Sequence, residues 1–205
     1  MIAVIDYGAG NIKSVLNAVW HLGFHPVLTS SPGEVLKADK VIFPGVGAAE
    51  STMASLKTLE LDKAIREYAS SGKPFLGICI GMQVLFDYAE EGGGCECLGI
   101  IPGRVKKLPS GQKIPHMGWN QVHQVKPHQI FSGIEDSENF YFVHSYYVQP
   151  DDEQHVIART LYGLDFCCAI AREELVATQF HPEKSGKNGL KVYENFLSGC
   201  SGEEG

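Results

Sequence analysis

The chain has 205 residues, 44% of them hydrophobic and 20% charged, and a formal net charge of −7 at pH 7. These values fit one globular domain over 1–205, and the negative charge argues against nucleic-acid or anionic-membrane binding, which needs an electropositive face. No apolar run reaches the roughly 20 residues that cross a bilayer. The start, MIAVIDYGAGN, lacks the basic stretch of a signal peptide, so a cytoplasmic location is expected.

In chain order, short runs rich in β-branched and aromatic residues predict strands over 2–6, 26–29, 41–44 and 75–78. Helical patterns lie between them at 11–22, at 32–37 and, in two pieces, within 48–71. Ser31-Pro32 reads as an N-cap followed by proline at the first helical position. Strands alternating with helices imply a parallel sheet covered on both faces. After about residue 88 the pattern changes. Strands are expected at 105–108, 140–143, 156–160, 168–172 and 176–180, with a closing helix at 190–197 and a fraying tail at 198–205. Consecutive strands joined by turns suggest antiparallel additions to the parallel core. The expectation is a three-layer α/β fold with a central mostly parallel sheet.

Ligands in such sheets gather at the carboxyl ends of the strands, and four glycine-rich or polar turns fall there: 7–11, 45–48, 79–81 and 181–185. The most informative is Gly77-Ile78-Cys79-Ile80-Gly81. An apolar strand runs straight into Cys79 and a helix pattern (Met82, Leu85, Phe86) follows, the cysteine counterpart of the G-x-S-x-G nucleophile elbow. The following helix start favours a thiolate. The Ile80 N–H is placed as an oxyanion donor. A small buried cysteine at a tight turn would look similar, so the reading depends on a base and a group to orient it. Phe180-His181-Pro182-Glu183 supplies both: a strand delivers His181 to the same edge, and Glu183 can fold back on the imidazole.

The six cysteines, with no export signal, are expected as free thiols. Cys95-Glu96-Cys97 and Cys167-Cys168 lack the spacing of zinc-ligand pairs, so no metal is expected. Gly8-Ala9-Gly10 fails as a dinucleotide fingerprint, because Lys13 stands where the third glycine is needed. No cofactor is implied.

With these motifs in hand, the chain resembles the class I glutamine amidotransferases over most of its length. Four further stretches narrow the resemblance: residues 6–11 (DYGAGN), 44–47 (PGVG), 116–120 (HMGWN) and 141–146 (YFVHSY). They resemble members that serve as the glutaminase subunit of a two-chain synthase of histidine biosynthesis. The resemblance implies glutamine hydrolysis through a Cys79 thioester, with His181 and Glu183 completing the triad. It further implies that Gly47, Gln83 and Glu91 hold the substrate, Glu91 through its α-ammonium, and that Val143 and Ser145 clamp it through the backbone. Val46 N–H would be the second oxyanion donor, turned away at rest until a peptide flip. A (β/α)8-barrel cyclase is the implied partner and would receive the ammonia. Asn11, Trp119, Asn120 and Lys184 match positions near that interface. Another glutaminase subunit, such as that of pyridoxal-phosphate synthase, would share the triad but not the 116–120 and 141–146 stretches.

Overall fold

The structure, a computed structural model, describes residues 1–8 and 11–199. Cys200, the acidic tail and Ala9-Gly10 of the first turn lie outside the described residues, as does most of the fraying expected at the C-terminus. Strand β1 (Ile2–Ile5) leads into helix α1 (Ile12–His21), β2 (Pro26–Thr29) into α2 (Pro32–Lys37), and β3 (Lys40–Phe43) into α3 (Ala49–Thr58) and α4 (Leu61–Ser70). Strand β4 (Phe75–Ile78) ends at Cys79 and a single helical turn, α5 (Ile80–Gln83). Beyond it come β5 (Tyr88–Ala89), β6 (Cys95–Glu96), β7 (Gly103–Lys107), β8 (His116–Gln124), β9 (Glu138–His144) and β10 (Tyr146–Pro150). Strands β11 (Val156–Leu161), β12 (Asp165–Arg172) and β13 (Leu175–Thr178) precede the last helix, α6 (Gly186–Ser198).

The strands run in the order β2-β1-β3-β4-β13-β12-β10-β7-β5-β6, with β11, β8 and β9 branching from β12. From β2 to β13 every pairing is parallel; from β13 onward all but the β5–β7 pairing are antiparallel. Helices α2, α3 and α4 cover one face through Val35, Met53, Leu61 and Ile65. Helices α1 and α6 cover the other through Val15, Val19, Val192 and Phe196. β4 and β13 are buried at every residue, as expected of strands covered on both sides. They pair in register, Ile78 opposite Thr178. The first residues past their ends, Cys79 and Gln179, are therefore neighbours although 100 positions apart in sequence.

Three departures from the sequence reading have physical causes. The helix after Cys79 stops after one turn, because Leu85 and Phe86 close tighter bonds to Met82 and Gln83 and turn the chain toward β5. β8 was not anticipated: alternate positions from His116 through Gly118 and Asn120 are among its more covered ones, so polar residues occupy sites where a strand pattern needs apolar ones. Helix α6 begins four residues before the expected start at Leu190, despite the poor helix formers Gly186, Asn188 and Gly189. Gly189 is required by packing, since a Cβ there would sit 1.9 Å from the Pro182 carbonyl oxygen.

Candidate active site

Cys79 has φ +53 and ψ −105, a region that side chains other than glycine rarely enter and that costs about 1–3 kcal/mol. The surroundings enforce it. Cys79 N–H donates to the Thr178 carbonyl at 2.7 Å, and Met82 and Gln83 N–H both return to the Cys79 carbonyl. The flanking glycines make the turn possible: a Cβ on Gly77 would lie 2.9 Å from the Gly81 oxygen, and one on Gly81 only 2.1 Å from the Phe43 oxygen. The Ile80 N–H precedes the first bond of this turn, so the helix itself gives it no acceptor. One turn of helix carries little macrodipole, so the charge environment of the sulfur is set mainly by its side-chain neighbours.

His181 follows β13, on the strand next to the elbow. Its Nδ1 lies 2.7 Å from Glu183 Oε1, and the two side chains are 1% and 3% exposed. The turn is anchored by His181 N–H to the Tyr141 carbonyl and by Ser185 Oγ, which donates to the His181 carbonyl and accepts from Tyr141 N–H. Burial alone would lower the His181 pKa. The charge and proximity of Cys79, then the bond to Glu183, outweigh it and hold the imidazolium up to about 10. His181 Nε2 and the second Glu183 oxygen have no hydrogen-bond partner among the described residues. Tyr193, on the buried face of α6, is held strongly protonated by burial and by the charge of Glu183.

A cleft of about 240 Å³ opens over the sulfur, lined among others by Val46, Gly47, Gln83, Glu91, Val143 and Ser145. That volume is below the usual range for drug-sized ligands, which suits a small metabolite rather than a polymer. Every residue expected from the resemblance to hold substrate is in that lining; His181, Glu183 and Ile80 are not. Gly47 has φ +113, which requires glycine. The Val46 carbonyl accepts from Tyr7 Oη at 3.4 Å. Glu91 Oε2 accepts from the Ala49 N–H at 2.8 Å, at the start of α3. One carboxylate oxygen is thereby held by a helix N-terminus, which orients the other.

Polar groups continue from the sulfur into the core; sequence reasoning named Gln83 and Asn120 among them but missed Gln179 and the links between them. Gln179 Nε2 lies 3.5 Å from Cys79 Sγ, and its Oε1 accepts from Gln83 Nε2 at 3.0 Å. Gln83 Nε2 also donates to the Tyr146 carbonyl, as does His144 Nδ1 at 2.8 Å. His144 Nε2 is 3.0 Å from His116 Nδ1, and His116 Nε2 is 3.3 Å from Asn120 Nδ2. Each donor has one acceptor only when both imidazoles are neutral. Burial pushes His116 down to about 4. Burial, followed by the charges of His116 and His181, takes His144 to about 3 against the opposing Tyr146 bond. The apolar run Leu175–Thr178 ahead of Gln179 marked a buried strand, yet nothing in a lone sequence distinguishes this glutamine from an exposed one.

The residues expected at an interface lie apart from the cleft lining. Trp119 is 57% exposed and meets the Tyr141 ring edge-on at 6.1 Å, and Lys184 Nζ stands 5.6 Å from the centre of the same ring. Among the described residues Lys184 has no carboxylate partner. Asn120 is tied inward to His116 and to the Leu161 carbonyl. Asn11 stands at the N-cap position of α1 without a side-chain capping bond, and α1 packs on the turn carrying Lys184. Tyr141 joins Trp119 and Lys184 into one patch.

A three-layer α/β sheet with a strained cysteine elbow beside a His–Glu pair is the architecture of a glutamine amidotransferase. The family model "Glutamine amidotransferase class-I" matches residues 3–200, and the chain belongs to that family. Within it, the chain is 56% identical to the imidazole glycerol phosphate synthase subunit HisH of Dehalococcoides mccartyi, covering 100% of both chains. It is 51% identical to the HisH subunit of Moorella thermoacetica, over 95% of this chain and 93% of that one. Among solved structures it superposes on one described as the structure of PurLQS from Thermotoga maritima, with a TM-score of 0.76 at 18% identity, covering 96% of this chain and 97% of that one. At that identity the likeness speaks for the fold. None of the helices in the described residues is long and apolar enough to cross a membrane, and no group of metal ligands occurs among those residues.

Proposed function

We propose that the chain, as one amidotransferase domain, is the glutaminase subunit of an imidazole glycerol phosphate synthase, the role named for its relatives. The observation that carries the chemistry is the strained elbow cysteine lining a small cleft, whose charge helps hold up the His181 imidazolium that a buried bond ties to Glu183. Cys79 sulfur attacks the side-chain amide carbon of glutamine. The resulting oxyanion is held by the Ile80 N–H and, after a peptide flip, by the Val46 N–H. The C–N bond breaks as His181 passes its proton to the departing nitrogen, and ammonia leaves. His181 then takes a proton from water, the hydroxyl adds to the thioester, and glutamate departs as the sulfur is restored. Glu183 fixes the imidazole tautomer throughout. Glu91 binds the α-ammonium, Gln83 and Gly47 the rest of the substrate, and the Val143 and Ser145 backbone its far side.

Ammonia released into water would be protonated and lost, so the product needs a docked acceptor. The acceptor is a (β/α)8-barrel cyclase that joins the ammonia to phosphoribulosyl formimino aminoimidazole carboxamide ribonucleotide. The products are imidazole glycerol phosphate and aminoimidazole carboxamide ribonucleotide. Trp119, Asn120, Lys184 and Asn11 form the docking face, with Lys184, which has no carboxylate partner among the described residues, offering its cation to an acidic group. Glutamate release by the purified chain, alone and with the cyclase and its nucleotide, tests the reading. Release should be negligible alone, rise by orders of magnitude in the mixture and vanish in Cys79→Ala. A full rate from the isolated chain would overturn the gating, and no release with the cognate cyclase would overturn the assignment.

A further inference from the structure

We propose that Gln179 is a further catalytic residue, its side-chain amide donating a hydrogen bond to the Cys79 sulfur and stabilising the thiolate. The inference rests on the reading of Cys79 as the nucleophile. Gln179 is wholly buried, and a buried primary amide must place both its donors and its acceptor. Left to itself an amide could face the sulfur with either end. Here the choice is settled by Gln83, whose Nε2 supplies one hydrogen to the Tyr146 carbonyl at 2.9 Å and the other to Gln179 Oε1 at 3.0 Å. With its oxygen engaged, Gln179 can present only Nε2 to the sulfur, at 3.5 Å. The backbone fixes the same direction: Gln179 N–H is held by the Cys168 carbonyl, and Cys79 N–H by the carbonyl of Thr178.

The titratable groups around the sulfur are His181 and Glu183 after β13, Tyr7 after β1, His144 at the end of β9, and Glu91 across the cleft. Among these, Gln179 is a neutral donor, so its attraction for the thiolate persists whatever the protonation of its neighbours. In the thioester the same N–H faces a neutral sulfur and loses most of its hold. It favours the starting thiolate and the sulfur as it departs, when charge returns to it.

The test is alkylation of the purified chain with iodoacetamide across pH, followed by peptide mass at Cys79. It needs neither glutamine nor a partner. Gln179→Met keeps the length of the side chain and removes the donor. A hydrogen bond to an ionised group implies that the midpoint of Cys79 reactivity rises by about one pH unit and the rate below it falls about tenfold. In the assembled synthase the same variant should lower kcat for glutamine with KM little changed, a split that a merely structural role would not give. An alkylation profile within about twofold of the natural chain at every pH overturns the proposal. Should Gln179→Met not fold, Gln179→Asn, whose amide is one methylene short of the sulfur, carries the same expectation and the same refutation. If Cys79 of the natural chain reacts no faster than its other cysteines at neutral pH, the nucleophile reading itself fails.

Discussion

Acidification to pH 5 should weaken the fold through His116 and His144. The two imidazoles are 3% and 5% exposed and are held neutral, with pKa values of about 4 and about 3. In the unfolded chain each would titrate near 6.5, so the unfolded state takes up protons first as the pH falls. Their contribution is therefore complete above pH 6.5 and is lost between there and the folded values. Over the 1.5 units from 6.5 to 5 the loss is about 2 kcal/mol for each, about 4 kcal/mol for the pair. His181 runs in the opposite sense. Raised to about 10, it contributes fully below 6.5 and loses its share only as pH rises toward 10, so it does not offset the acid loss. Urea unfolding at pH 7, 6 and 5 reads the effect, and His116→Phe isolates it. Phenylalanine preserves the stack of ring 116 on Phe142 and Tyr162 while removing one titrating group, so the acid loss should shrink by about half. Equal losses in both proteins, or nitrogen NMR signals of both imidazoles moving near pH 6.5, would refute the reasoning.

Two other substitutions bear on the site. Gly81→Ala drives a methyl to 2.1 Å from the Phe43 carbonyl oxygen; with backbone on both sides, about 3 kcal/mol or more is lost. Thermal unfolding should show a fall of about 6–12 °C, together with loss of glutaminase activity, and an unchanged Tm would mean the elbow is far softer than its contacts imply. Glu91→Gln keeps an oxygen for the Ala49 N–H but removes the charge proposed to meet the substrate ammonium. Steady-state kinetics should give a KM for glutamine raised about tenfold or more at near-normal kcat and stability, and an unaltered KM would remove Glu91 from the binding site.

The parts of the molecule readable from sequence were those whose signals are local. The elbow glycines, the apolar run before Cys79 and the His-Pro-Glu turn each announce themselves within a few residues, because a tight turn restricts the side chains of its own neighbours. The parallel order of the first strands was similarly open to view. What sequence reasoning missed depends on contacts between distant segments. Gln179 acquires its role only because β13 inserts beside β4. The histidines at 116 and 144 stood out only as members of the 116–120 and 141–146 stretches, and their mutual contact appears once β8 and β9 pair them across a ladder, His116 opposite His144. β8 was overlooked for the same reason, since a strand that turns imidazole and amide inward breaks the apolar alternation by which strands are recognised.

The position of β13 also bears on how the protein is made. Cys79 lies in the first half of the chain, but the strand that brings Gln179 and His181 beside it is near the end and fills the gap between β4 and β12. A nascent chain still attached to the ribosome at residue 170 holds Cys79, yet lacks the Thr178 carbonyl that anchors its N–H as well as His181 and Gln179. The candidate site is thus completed only when β13 closes the central sheet, so any glutamine hydrolysis waits until the last strand has been made and inserted.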